Sequence, residues 1–146
     1  MKIIPSKIAN YTTILTGLLL VFIGARFLLS PLEGEAGFGI HVPVNGIYSF
    51  HYIKGIRDLS VGLLLILLCL AKEWRSLGLT MLCIMMVPLT DFSIVFTTPG
   101  HRTGSIFPHL IAVVLALVLG YYYLSITRKQ NITDARQIIT DAQQGK

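Results

Sequence analysis

Four stretches of this chain are apolar for long enough to cross a bilayer, and charged residues gather near their ends. Ile8 to Leu29 is a run of 22 residues, enough for a helix to span about 30 Å of hydrocarbon. A second helix is expected to begin near Tyr48 and run to Ala71, a third to cover about 76–96, and a fourth about 105–126. The pattern predicts an all-α fold, a transmembrane four-helix bundle over residues 1–126. A polar tail, 127–146, follows it and is expected to form at most a short surface helix.

Punctuation sets the boundaries. Pro31 ends the first helix, because the residue before a proline avoids the α region. A small-residue site at Gly34–Ala36 would suit signal cleavage, but the run is too long for an h-region and Arg26 interrupts it, so it is read as a retained helix. Residues 30–46 form the longest connection, with four glycines, two prolines, Glu33, Glu35 and His41. Connections of this length within compact domains are often functional. This one is expected to be a re-entrant or interfacial loop over the mouth of the bundle, anchored by Phe38 and Ile40. Its Gly37-Phe-Gly39 lacks the preceding strand and the GxGxxG of a phosphate cradle. Lys72 to Arg75 makes a tight turn with Trp74 at the membrane interface. Pro88 is expected to kink the third helix. On the fourth, His109, Ala112, Ala116 and Gly120 form a stripe that would admit a closely packed helix, and Tyr121 to Tyr123 mark the interface at its far end.

Composition sharpens this picture. Of 146 residues, 53% are apolar and 13% charged, about half the charged fraction of a soluble domain. The net charge of +5 comes from residues that flank apolar runs. It therefore carries topology, and without a nucleic-acid motif it argues against a nucleic-acid partner. Lys2, Lys7, Lys72, Arg75, Arg128 and Lys129 fall on one side of four crossings, and Arg102, Glu33 and Glu35 on the other. The positive-inside rule then puts both termini in the cytoplasm of a multi-pass plasma-membrane protein, where the Asn131-Ile-Thr133 sequon is out of reach of glycosylation. Cys69 and Cys83 show no metal or CxxC spacing and read as core residues. Met81, Met85 and Met86 read as packing.

The informative stretch is Tyr52 to Gly62. At 100° per residue, His51, Lys54, Arg57, Asp58, Val61 and Gly62 share an arc of about 140°. Aspartate is too short to snorkel, so Asp58 must find a partner, whereas Lys54 and Arg57 have the reach to snorkel to headgroups. With the topology above, Arg26, Lys54, Arg57, Asp58, Asp91 and His109 all fall in the outer half of the bundle and are the candidate ligand-binding residues. Pairs such as Arg57 with Asp91 and Arg26 with Asp58 are expected, and Asp58 is expected to meet Arg57, Arg26 or both, Arg26 being the better partner. Asp58, Asp91 and His109 are the candidate acid–base residues.

Arg26-Phe-Leu28 followed by Pro31, the glycine-rich connection, and Lys54-Gly-Ile-Arg-Asp58 with Gly62 resemble the small four-helix membrane proteins of domain-of-unknown-function family 4267, over roughly residues 8–126. The resemblance implies the fold and no activity. A looser similarity, in hydropathy alone, is to DoxX-like four-helix proteins, some of which are associated with quinone or thiol redox chemistry.

Three functions are compatible with these residues. The first is a site for a small apolar or anionic molecule, a lipid or a quinone among them, with no cofactor or metal motif evident. The second is an isomerase or cyclase using Asp and His as acid and base, with Arg57 stabilising developing charge. The third is an accessory subunit, or one copy of a homo-oligomer, that packs its small-residue stripe against a membrane partner. A pocket among the polar residues favours the first two, and a paired network without a pocket favours the third.

Overall fold

Ser6 caps the first helix, its side chain accepting from the Ala9 amide, which satisfies one of the donors that a helix N-terminus leaves open. This helix, α1, covers Lys7–Leu29, and Pro31 opens a second, α2, Pro31–Phe38. The computed structural model describes residues 5–41, 45–99 and 103–144. Lys2, Arg102, Lys146 and the 42–44 part of the long connection lie outside the described residues. Among those described, the remaining helices are α3 (Ser49–Leu70), α4 (Trp74–Ile84), α5 (Met86–Thr97) and α6 (Ile106–Gln144), with a 3₁₀ turn at Thr103–Ser105 before the last.

Two features depart from the sequence reading, and a third falls where it expects a kink. The long connection is partly helical: a proline is tolerated in a first turn, where its missing N–H has no partner to lose, so Pro31 starts α2 as it stops α1. The third rod breaks at Met85, one turn before Pro88, because a proline at 88 leaves the carbonyl of Ile84 without its usual donor. The tail does not break away, since α6 continues unbroken to Gln144. The α3–α4 turn is a full Schellman motif. Lys72 takes a positive φ of 60°, its amide reaches Cys69 O at 3.2 Å, and the Glu73 amide reaches Leu68 O at 3.0 Å.

Glycine decides the packing. Gly17 and Gly24 on α1 meet Gly62 and Gly55 on α3 in antiparallel order. A Cβ on Gly24 would sit 2.5 Å from the Leu59 amide nitrogen, and one on Gly62 would sit 2.5 Å from Gly17 O. Backbones this close gain dispersion contacts, the main attraction left between helices in lipid. The second pair is α4 with α6, where a Cβ on Gly78 would lie 3.0 Å from Gly120 O. The bundle is thus two glycine-packed pairs, α1–α3 and α4/α5–α6, laid side by side.

At the end nearest the tail the pairs are fastened. Tyr123 is fully buried, donates to Asn10 Oδ1 at 3.1 Å, lies 3.0 Å from Thr13 Oγ1 and stacks on Trp74 at 5.8 Å. Of the three tyrosines assigned to the interface, Tyr121 faces outward, Tyr122 accepts from the Ser6 amide at 2.8 Å, and Tyr123 belongs to the core. Cys69 joins that core beside Leu65, Leu77 and Met81. Cys83 is exposed, so it is not the core residue expected.

Most of the apolar surface points outward. Leu15, Phe22, Leu67, Val114 and Val118 are among many large side chains about half exposed or more, an arrangement that only a hydrocarbon solvent tolerates. Lys7–Leu29, Trp74–Thr97 and the helical segment from Thr103 are each long and apolar enough to cross a membrane. The protein is an all-α membrane helix bundle.

Candidate functional site

The buried stripe of α3 is His51, Lys54, Gly55, Asp58, Gly62, Leu65 and Cys69, close to the arc expected from the sequence. Its glycines bring α1 in, and its charges reach across to α5. Lys54 Nζ donates to Asp58 Oδ2 at 2.9 Å and to Asp91 Oδ2 at 3.1 Å. Arg57 donates through Nε to Asp58 Oδ1 at 2.9 Å and through Nη2 to Asp91 Oδ2 at 3.1 Å. Two cations and two carboxylates close a ring with no net charge. The Lys54, Asp58 and Asp91 side chains are 6, 7 and 11% exposed and Arg57 is 35% exposed, so each charge is satisfied where water is scarce.

Lys54 does not snorkel to headgroups. Its ammonium lies 4.4 Å from the centre of the Phe38 ring and 5.2 Å from that of Phe27, a cation–π contact that strengthens with desolvation. Phe38 is buried against Phe27 and Val95, with Ile40 packed on the same cluster, so both anchors of the connection engage the bundle. The Arg57–Asp91 pair forms as expected. The Arg26–Asp58 pair does not. Arg26 reaches Glu33 Oε2 at 3.3 Å in an exposed pair, because α2 folds back and places Glu33 one helical step away. Asp58 takes Arg57, the other partner expected for it, whose stem curls so that Nε meets the adjacent residue.

A second polar group sits at the same end. Glu35, 3% exposed, receives His51 Nε2 at 2.6 Å on one oxygen and His41 Nδ1 at 2.8 Å on the other. His51 is fully buried among aromatic rings of Phe27, Tyr48 and Phe50. Its Nδ1 has no hydrogen-bond partner among the described residues. The shared arc on α3 places His51 with Lys54, and the sequence alone assigns Glu35 to an outer connection. The structure ties them together, pinning α2 to α3. His109 is not part of the ion ring. Its Nε2 lies 3.3 Å from Phe38 O and its ring stands edge-on to Phe38 at 4.9 Å.

Between the two helix pairs lies a cavity of about 300 Å3. Arg26, Lys54, Asp58, Asp91 and His109 line one end, and Leu20, Val61, Leu65, Met81, Leu115 and Leu119 line the length below. Ala112 and Ala116, two members of the small-residue stripe, also face it, and Gly120 packs on Gly78. The stripe therefore opens an internal space and closes an internal contact. A paired network and a pocket occur together. Among the described residues no group of three or more His, Cys, Asp or Glu side chains is arranged to hold a metal ion.

Asp58 and Asp91 are held differently. Both Asp58 oxygens are taken by cations, and both bonds to Asp91 end on Oδ2. A general base needs a lone pair aimed at its substrate, and Asp58 has neither oxygen to spare.

The family model described as "Domain of unknown function (DUF4267)" matches residues 17–123. That range holds the glycine contacts, the ion ring and all of the cavity lining but Thr16. No curated protein matches the chain, and no solved structure does.

Proposed function

This chain belongs to the DUF4267 family, whose description carries no activity, and from that premise we propose that it binds a small molecule with an apolar body and a polar head. The body lies along the cavity and the head rests against Lys54, Asp58 and Asp91 of the ion ring, with His109 and Arg26 beside it. A lipid or a quinone has this build. The protein works in the plasma membrane with four crossings and both termini in the cytoplasm, which puts the polar end in the outer half.

One observation carries the reading: the charged side chains that line the cavity gather at one end, and apart from Thr16 its length is lined by apolar side chains. Ligand pockets of about 300–1,000 Å3 are typically apolar with a few convergent polar groups. The anionic ligand considered from sequence loses its main support, because the cluster's surplus positive charge is cancelled by Glu33, Asp58 and Asp91. The test is to purify the full chain in mild detergent, extract it with organic solvent and analyse the extract by mass spectrometry. A defined species should co-purify in stoichiometric amount and be lost from Ala112→Leu, which fills the space. An extract identical for both proteins would refute the reading.

A further inference from the structure

Side chains cover much of both ends of the cavity, with Arg26 about half-exposed at the polar one, and three of its four seams are bridged. At the polar end, Phe38 covers Lys54 and contacts His109, and the positive-φ Gly39 lets the end of α2 sit directly on Ser105. At the other end Tyr123 joins α6 to Asn10 and Thr13 of α1. The α1–α3 and α4–α6 seams are closed by backbone contact at glycine, and the seam of α3 with α4 and α5 is bridged by the Schellman turn, direct packing on α4 and the Lys54–Asp91 and Arg57–Asp91 pairs. The seam between α1 and α6 is different. Above the Tyr123 clasp these helices pack little on each other. Leu19, Phe22 and Ile111 line the cavity there and are 55, 58 and 57% exposed. A side chain that lines a cavity and also faces outward marks an opening in its wall. This one is apolar and faces the bilayer.

We propose that the occupant is a neutral single-chain amphiphile that enters sideways from the bilayer between α1 and α6. The inference rests on the binding reading above and adds the route and the chemical class. Charge sets the head. The ring is balanced at two cations and two carboxylates, so an ionic head would leave one buried charge uncompensated, whereas a hydroxyl or carbonyl can exchange hydrogen bonds with Lys54 or Asp91, which line the cavity. Volume sets the body. At about 30 Å3 per water-sized group, the space holds on the order of ten such groups. That admits one short chain, or the first part of a longer one trailing out between the helices, and not the two chains of a phospholipid.

The test uses the full chain in phosphatidylcholine nanodiscs with three diazirine photoprobes: decanol, decanoate and a diacyl phosphatidylcholine. Labelled residues are mapped by peptide mass spectrometry. The decanol probe should label the interior at Leu115 and Ala116, decanoate should do so several-fold less, and the phospholipid probe should label only outward positions such as Val114 and Val118. Phe22→Trp with Ile111→Trp should slow interior labelling by decanol several-fold and leave its final extent unchanged. Ala112→Leu should abolish it, and Ala116→Val serves the same purpose should the leucine variant fail to remain monodisperse. Equal interior labelling by decanoate overturns the neutral head. Interior labelling by the phospholipid overturns the single chain. An unchanged rate in the tryptophan variant overturns the lateral route while the site stands. Absence of interior labelling by every probe, or labelling that survives filling of the cavity, overturns the binding reading itself.

Discussion

Lys54 is the residue whose role differs most from its local sequence context. A lysine near the start of an apolar helix usually extends to the headgroups. Here it lies under Phe38 and holds Asp58 and Asp91 together. Lys54→Met keeps the length and leaves Arg57 facing two carboxylates. Removing one partner of a buried pair costs about 3–5 kcal/mol, so the thermal midpoint in detergent should drop sharply. Lys54→Met with Asp91→Asn removes one charge of each sign and leaves Arg57 with Asp58. The double variant should recover much of the loss, and strictly additive midpoint changes would show that the four groups do not act as one ring. Arg26→Gln is the contrast, since its exposed pair with Glu33 contributes about 0–1 kcal/mol and the midpoint should barely move. The i to i+4 spacing of Lys54 and Asp58 was visible beforehand, as was the Arg57–Asp91 pair. The partner of Arg26 was not, because it depends on α2, and Pro31 was read only as a stop. Glu35 was overlooked for the same reason: its two histidine contacts exist only once the connection folds onto α3.

At the scale of the elements, α1 and α3 are joined by glycines spaced seven apart on each helix, Gly17 with Gly24 and Gly55 with Gly62. Glycine in a helix interior ordinarily costs about 1 kcal/mol relative to alanine. Replacing Gly24 by alanine should nevertheless destabilise the bundle, because the new methyl would press on the backbone of Leu59 and Gly55 at 2.5 and 2.6 Å, atoms that cannot move without separating the helices. Gly37 has nothing within 4 Å of the equivalent position, so Gly37→Ala should leave the midpoint unchanged or raise it. A rise for both variants would mean that the helices are not held this close. The matched seven-residue spacings are legible in the sequence, but spacing by itself does not set them above the stripe on the last helix. There the small residues mostly make room: Gly120 packs on Gly78, while Ala112 and Ala116 leave the space that becomes the cavity. Spacing alone does not tell a contact from a gap, because both require small side chains. The difference lies in what faces them from the other pair.

For the whole molecule the decisive question is whether α3 crosses the membrane. Three helical segments qualify by length and composition alone. The α3 helix carries Lys54, Arg57 and Asp58, and an isolated charge at the centre of a membrane helix costs about 2.5–3.5 kcal/mol. Two observations offset that cost. Each charge is paired within the ring, so none meets hydrocarbon alone. And α3 runs antiparallel beside α1 with backbones in contact at Gly17–Gly62 and Gly24–Gly55, so if α1 spans the bilayer, α3 lies within the same slab. Four crossings place Lys7 and the tail on one side and Glu33 on the other; three would put Lys7 and the tail on opposite sides. The prediction is read with single cysteines at positions 7, 33 and 137, placed in a background carrying Cys69→Ala and Cys83→Ser and labelled by a membrane-impermeant maleimide. In intact cells position 33 should react, and positions 7 and 137 should react only after permeabilisation. Reaction of 7 and 137 from opposite sides would remove α3 from the membrane and, with it, the outer-half placement of the ion ring. Reaction of both from outside, with 33 protected, would keep the four crossings and invert them, turning the polar end of the cavity toward the cytoplasm.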